Sequence, residues 1–292
     1  MRIQPGCYRC ILDQCAELAL ESAPAERNAR LREYLDTVLA HLDVGTPPEL
    51  AEALFDIHRK RTGIDDPFAE KKHTSTELAL KLLPEFSAEV AASGDPFLSA
   101  LRFAIGGNVI DYGATPGFRL ETAAAAIREA AELPLDRDAV EDLRRRTAEA
   151  RNVLYILDNC GEAVFDRLLI DRIGADKVTL GVRGGAIIND VTRAELEASG
   201  LGGLPVIDTG ARLPGVSLKR SSPEFLAAVR RADAVIAKGQ GNFESLYGEP
   251  EYANVFFLFR VKCPVLVTFA GVEQNSLQVR RNKPLNGTAR TP

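Results

Sequence analysis

Long apolar runs are missing from this sequence, and with them the means to cross a bilayer as a helix. No uninterrupted apolar stretch approaches the roughly 20 residues that a span needs. The opening MRIQPGCYRC has no apolar segment of the signal-peptide kind. Positive charge is in short supply too. Lysine and arginine together number 36 against 41 acids, a formal net charge of −5, which argues against a nucleic-acid-binding surface. Five cysteines are an odd number and far too sparse for a disulfide scaffold at this length, so they fit a reducing cytoplasm. Three histidines, His41, His58 and His73, belong to no motif and read as surface residues. Internal repeats and low-complexity tracts are absent. So are the lysine-bearing phosphate loop of nucleotide hydrolases and the G-x-G-x-x-G turn of dinucleotide-binding sheets.

What the chain does have is enough apolar content, 46% of 292 residues, to bury one large or two moderate cores. The first half reads as helices: 8–20, 25–42, 46–61, 76–90, a helix opened by Asp95-Pro96, 120–131 and 136–150. Thr46-Pro47-Pro48-Glu49 is an N-cap followed by proline in the first turn. Pro84 is expected to kink or split the helix over 76–90. No convincing strand precedes Val153, so residues 1–150 read as an all-α domain.

From Val153 the pattern changes to alternating strands and helices. Strands are predicted over 153–157, 177–182, 205–207, 234–237 and 255–259. Helices are predicted over 162–173, 190–199 and 223–232, the last capped by Ser222 with Pro223 at its first position. Residues 263–272 read as either strand or helix, and 280–292 as a mobile polar tail. The fold class is therefore α/β and multi-domain: a helical domain over 1–150, then a Rossmann-like α/β/α domain over 151–292 with a mostly parallel sheet.

The chain is organised around Val153-Leu154-Tyr155-Ile156-Leu157-Asp158-Asn159-Cys160-Gly161-Glu162. A strand buried on both faces stops abruptly at polar residues, against the start of a helix. In open α/β sheets that crevice binds ligands, and a helix N-terminus favours anions. An acidic pair there is unfavourable unless something positive joins it. A hard divalent cation held by the Asp158 carboxylate and the Asn159 carbonyl oxygen, with a phosphate bridging, resolves the conflict; simple helix capping by the same residues is the alternative. The other strands also end in polar residues. Strand two ends in Val182-Arg183-Gly184-Gly185 and leads to Asn189-Asp190, strand four in Lys238-Gly239-Gln240-Gly241-Asn242-Phe243-Glu244, and strand five near Arg260 and Lys262. With neighbouring strands about 4.8 Å apart, these ends can share one site in which acids hold a cation while lysines and glycine-loop amides hold an anion. A helix cap at Asn189-Asp190 and a plain turn at Lys238-Gly239 are the bland alternatives.

Taken together, Gly107-Asn108-Val109-Ile110-Asp111-Tyr112-Gly113, Asp158-Asn159-Cys160-Gly161-Glu162, Asn189-Asp190-Val191-Thr192, Lys238 to Glu244 and Lys262-Cys263-Pro264 resemble the damage-control phosphatase (ARMT-like) family, long catalogued as a domain of unknown function. With Cys7-x-x-Cys10, which points to a prokaryotic subgroup, the resemblance spans nearly the whole chain. It implies a helical domain joined to a Rossmann-like domain, in agreement with the pattern. Metal ligands carry over to Asp158, Asn159 and Asp190, and a substrate-phosphate lysine to Lys262, although the arginine-to-lysine spacing differs from that of eukaryotic members. The substrate loop corresponds to Gln240 to Glu244, where Asn242 alone matches closely.

The resemblance also turns the Asn108/Asp111 segment toward the cleft, whereas its flanking glycines by themselves suggest a capping loop. Cys7, Cys10 and Cys15 offer three thiols without a histidine to complete a zinc set, and they read as buried and non-catalytic. A strand-terminal aspartate occurs in haloacid-dehalogenase-type phosphatases as well, but those place a second aspartate where this chain has Cys160.

The expectation is a cytoplasmic, metal-dependent phosphomonoesterase of small phosphorylated metabolites, such as sugar phosphates or damaged relatives. It would use magnesium, manganese, cobalt or nickel, with catalytic Asp158, Asn159, Asp190 and Lys262 and substrate contacts from Asn108, Asp111, Lys238, Gln240, Asn242 and Glu244. The nucleophile is either Asp158 or a water on the ion. Nucleic acid and membrane are not expected partners. A methyltransferase on the same kind of sheet is the rival, although no glycine-rich adenosylmethionine loop follows strand one. A non-catalytic metabolite-binding protein is the third reading.

Overall fold

The computed structural model describes residues 1–41, 45–109 and 120–283. Asp111 and the segment 284–292 lie outside them. Helices α1 (Cys7–Leu20), α2 (Arg27–Leu39), α3 (Pro47–Thr62), α4 (Ala69–Ala92), α5 (Pro96–Gly106), α6 (Leu120–Glu132) and α7 (Arg137–Glu149) precede the first strand. Then follow β1 (Val153–Ile156), α8 (Cys160–Ile173), β2 (Val178–Val182), β3 (Val206–Asp208), α9 (Pro223–Arg231), β4 (Ala234–Lys238), α10 (Gln240–Leu246), β5 (Val255–Arg260), α11 (Pro264–Ala270) and β6 (Leu277–Arg281). The caps form as their residues dictate. At α3 the Glu49 side chain reaches back to accept from Thr46 N at 2.9 Å, and the Asp95 and Ser222 side chains accept from Leu98 N and Phe225 N at the starts of α5 and α9.

The sheet runs β3-β2-β1-β4-β5-β6, with β1 to β5 parallel and β6 antiparallel to β5. Alternate residues of each strand face opposite layers. Tyr155, Leu180, Ile236 and Leu258 join one apolar cluster with α4 to α8, while Ile156, Val235, Ala237 and Phe257 join another with α9 to α11. The first cluster contains residues from both sides of position 150, from Phe86 and Leu101 to Tyr155 and Phe165. The change at 150 is thus one of secondary-structure type, and the core runs across it. Helices α1 to α3 form a third cluster, closed by Ile187 from the loop after β2.

Several expectations are corrected. Residues 190–199 do not form an α-helix. A short 3-10 turn, Arg193–Glu195, stands there, because Val191 is drawn into hydrogen bonds with the ends of β1 and β2 and Thr192 caps what remains. Residues 263–272 resolve as α11, with Cys263 at the N-cap and Pro264 in the first turn. The first two residues of the expected polar tail, Arg280 and Arg281, end strand β6, whose Leu277 and Val279 are buried while Gln278 between them is half-buried; five residues with two arginines are too short and charged to announce a strand. His58 is fully buried, its Nδ1 2.8 Å from the Tyr34 hydroxyl.

Pro84 does not break α4, which runs straight through it. The ring is on the exposed side, opposite buried Leu82 and Phe86, where a gentle bend away from the core costs least. Pro84→Ala restores an amide donor to the i−4 carbonyl and removes the ring clash, so it is expected to stabilise the protein by about 1–3 kcal/mol in urea denaturation. A loss of stability would show instead that the packing of α4 depends on the proline ring.

Candidate active site

Strand β1 lies between β2 and β4, and the chain leaves its two neighbours in opposite directions, so a crevice opens at the carboxyl ends of β1 and β4. Asp158 and Asn159 sit at its β1 side. Asp190 reaches them by backbone pairing. Val191 N donates to Asp158 O at 2.8 Å, Arg183 N donates to Val191 O at 2.9 Å, and Asn159 and Asp190 form an isolated antiparallel bridge. The turn that makes this return is strained, for Ile188 has φ 42°, a left-handed value that a β-branched residue rarely adopts.

Asn159 occupies the N-cap position of α8, yet its side chain makes no capping hydrogen bond. Its Nδ2 donates instead to Asp158 Oδ2 at 3.1 Å and to Glu162 Oε2 at 3.4 Å. Asp190 is no cap either, since Thr192 fills that role for the next turn. Capping therefore does not account for either residue.

The fully buried Arg183, given no role by the sequence reading, ties the two acids together. Its Nε donates to Asp190 Oδ2 at 2.6 Å and its Nη2 to Asp158 Oδ1 at 3.3 Å. On the β4 side, Gly239 has φ 78°, and a Cβ there would fall 2.0 Å from Asp158 Oδ2. Only glycine lets the β4 backbone close over the carboxylate.

Lys238 is corrected from substrate contact to internal support. Its ammonium is wholly buried and donates to Ala104 O at 2.8 Å, to Asp166 Oδ1 at 2.6 Å and to Glu162 Oε1. Tyr155 OH also donates to Asp166, at 2.7 Å. Burial alone would lower the Lys238 pKa, but the Asp166 and Glu162 carboxylates override it and keep the ammonium charged. Glu162 in turn accepts from buried Asn108 Nδ2, which ties the 107–109 segment to the residues behind Asn159. Lys238 thus holds Glu162, and Glu162 holds Asn159.

The glycine loop after β4 is likewise turned inward. Asn242 is fully buried with both ends of its amide engaged, Oδ1 accepting from Arg183 Nη1 at 3.1 Å and Nδ2 donating to Lys238 O at 2.7 Å. Glu244 is buried beneath the amino-terminal segment, whose Met1 ammonium donates to its backbone carbonyl. Neither residue offers a free face to a ligand. Gln240 and Lys262, both half-buried, remain at the rim, with Lys262 N donating to Gln240 Oε1 at 3.3 Å. Of the cysteines, Cys7 and Cys15 are buried but Cys10 is exposed, against expectation, and all are free thiols.

Electrostatically the site is short of positive charge. Burial pushes the Asp158 carboxyl well above the usual range, Asp190 and Glu162 push it further, and Arg183 and Lys262 pull the other way. Among the described residues no group of three or more His, Cys, Asp or Glu is arranged to hold a metal ion. The present set has two carboxylates and an amide that does not cap. These are hard oxygen donors, closely cradled by Gly239, and they fit a divalent ion that completes its shell with water and phosphate.

A profile of the damage-control phosphatase ARMT1-like domain matches residues 3–277. A damage-control phosphatase from Pyrococcus horikoshii is 35% identical over 290 residues, which cover 97% of this chain and 99% of that protein. Another, from Archaeoglobus fulgidus, is 29% identical over 286 residues, covering 93% and 96%. The crystal structure of a DUF89 family protein from Pyrococcus horikoshii aligns with a TM-score of 0.87 at 34% identity, covering 97% of this chain and all of that one.

Burial raises the Glu244 carboxyl to about 7, with the Met1 ammonium opposing. A raised acid stabilises the fold below its unfolded pKa, and that contribution is lost as pH rises through about 7. Glu244→Gln removes the loss, so its stability relative to the unmodified protein is expected to rise by on the order of 2–3 kcal/mol between pH 4.5 and 8. Urea denaturation at both pH values measures this, and a pH-independent difference would count against a buried acid at this position.

Proposed function

Because the chain belongs to the ARMT1-like damage-control phosphatase family, we propose that it is a metal-dependent phosphomonoesterase acting on small phosphorylated metabolites, sugar phosphates or their damaged relatives. The observation that carries the reading is the convergence of Asp158 and Asp190, from separate strand ends, on one guanidinium beside an N-cap asparagine that does not cap. Asp158, Asn159 and Asp190 would hold magnesium, manganese, cobalt or nickel, which when bound supplies a Lewis acid that polarises a phosphate oxygen. Lys262, at the rim, offsets the phosphoryl charge that grows in the transition state. Gln240 fixes the backbone at Lys262, and the Lys238–Glu162 pair keeps Asn159 oriented.

The methyl-transfer reading has no such support, since the end of β1 carries a carboxylate packed against Gly239 where a nucleoside would lie. No helix among the described residues is long and apolar enough to cross a membrane; the place of action we infer is the cytoplasm, where the free thiols would persist.

Chelator-treated protein is expected to release no phosphate from a panel of phosphorylated metabolites, and to recover on addition of manganese or magnesium. Asp158→Asn should weaken metal binding and turnover together while leaving the fold intact. Full activity after chelation, or wild-type metal affinity in Asp158→Asn, would refute the metal-dependent reading.

Lys262→Ala is expected to cost about 2–4 kcal/mol of transition-state stabilisation, a roughly 30- to 900-fold fall in kcat/KM. An unchanged kcat/KM would move the phosphate contact to another cation.

A further inference from the structure

Arg183 leaves β2 where the chain has to turn sharply inward. A Cβ on the next residue, Gly184, would lie 2.6 Å from the Ala211 backbone nitrogen. The guanidinium then makes four contacts, all inside the protein. Beside the two carboxylates, Nη1 donates to Asn242 Oδ1 and, at 3.3 Å, to Gly215 O. A guanidinium cannot deprotonate here, so its charge is permanent.

Phosphatases built around two metal ions place both cations about 3.5–4 Å apart between their acids. Here one cation of the acid pair is already present as a side chain. With Asp158 and Asp190 ionised, Arg183 leaves the pair with one net negative charge, enough to favour a single divalent ion and to disfavour a second.

We propose that Arg183 is a built-in counter-cation for the Asp158–Asp190 pair, taking the place of a second metal ion and competing with the one that binds. It keeps the two acids together in the metal-free protein and lowers their affinity for divalent ions. The metal half of this inference rests on the function proposed above; the pairing half rests on the hydrogen bonds alone.

Calorimetric titration of the chelated full-length protein with Mn²⁺, alongside thermal unfolding in chelator, separates the two. Wild type is expected to bind one ion. Arg183→Met should unfold at lower temperature without metal, bind Mn²⁺ roughly tenfold or more tightly, and gain more in Tm from Mn²⁺ than wild type does. Arg183→Lys, which keeps the charge but not the fork, should return the Mn²⁺ affinity toward the wild-type value. In Arg183→Met/Asp190→Asn one of the two repelling acids is gone, so metal-free stability should recover relative to Arg183→Met.

Equal or weaker Mn²⁺ binding by Arg183→Met overturns the competition. A double variant no more stable than Arg183→Met, or unable to fold, overturns the pairing and leaves Arg183 a packing residue. Absence of Mn²⁺ binding by wild type brings down the metal-dependent function and the metal half here together, while recovery in the double variant would still uphold the pairing.

Discussion

Everything at the carboxyl edge of the sheet follows from the need to keep six charges out of water. Asp158, Asp190, Glu162 and Asp166 are buried with Arg183 and Lys238, in two groups on either side of the β1 end. Removing one partner of a buried pair typically costs several kcal/mol, so such groups persist where each charge has a fixed counterpart; only Asp166 Oδ2 among these six side chains is buried without a hydrogen-bond partner. The inner group, Lys238 with Glu162 and Asp166, is closed by Tyr155 and Ala104 O and points into the α4 to α8 layer. The outer group, Arg183 with Asp158 and Asp190, borders the crevice. Asn159 joins them by donating to an acid of each.

The helices ahead of the sheet make this arrangement rigid. Ile187 is buried among α1 to α3, and Arg59 of α3 donates to Ala186 O. The strained turn at Ile188 is thereby held from outside, and Asp190 emerges from it aimed at Asp158. From the other side, buried Lys72 of α4 pairs with Asp66 and Glu195, and Glu195 accepts from both Thr192 N and Thr192 Oγ1. The loop with no regular structure is fastened at both ends by helices more than a hundred residues away in sequence. A helical half packed against the sheet is thus part of the site's construction.

Much of this was legible in the residues, for identifiable reasons. Strands β1, β4 and β5 announce themselves because both faces are buried and their apolar runs are nearly unbroken, while β2 and the half-buried three-residue β3 are legible mainly from the alternation around them. The helices carry 3.6-residue periodicity with proline and polar caps. Asp158 and Asn159 stand where β1 stops, and Asp190 lies in the loop after β2, whose end the topology places beside β1. Which way each side chain turns was not legible. Lys238 is the last residue of β4 and could face the crevice or the layer beneath; the choice was made by Glu162 and Asp166, in the first and second turns of α8. Asn242 and Glu244 share a seven-residue helix with Gln240, and the helical period alone does not sort them, since Gln240 and Glu244 are four residues apart and lie on one face; it is the packing around the helix that buries Glu244 and leaves Gln240 half-buried. Arg183 was visible only as one of the polar residues at the end of strand two, with no role of its own. A buried arginine has no local signature, because what marks it is a pair of acids brought together by the fold.

The balance of these charges also bears on what the site can accept. Four buried acids face two buried bases, with Lys262 at the rim as the nearest further cation acting on Asp158. The inner group cannot correct the deficit, since Lys238 is already shared between two carboxylates and closed off from the crevice. The outer group can, but only by protonating an acid or by admitting a cation from solution. Protonation would cost Asp158 the charge that draws in Arg183. Admission of a cation would keep both acids ionised, in competition with Arg183, and would create a locus of positive charge that a phosphate ester could approach. On the proposed function, the metal and the phosphate would both answer one electrostatic shortfall at the end of β1.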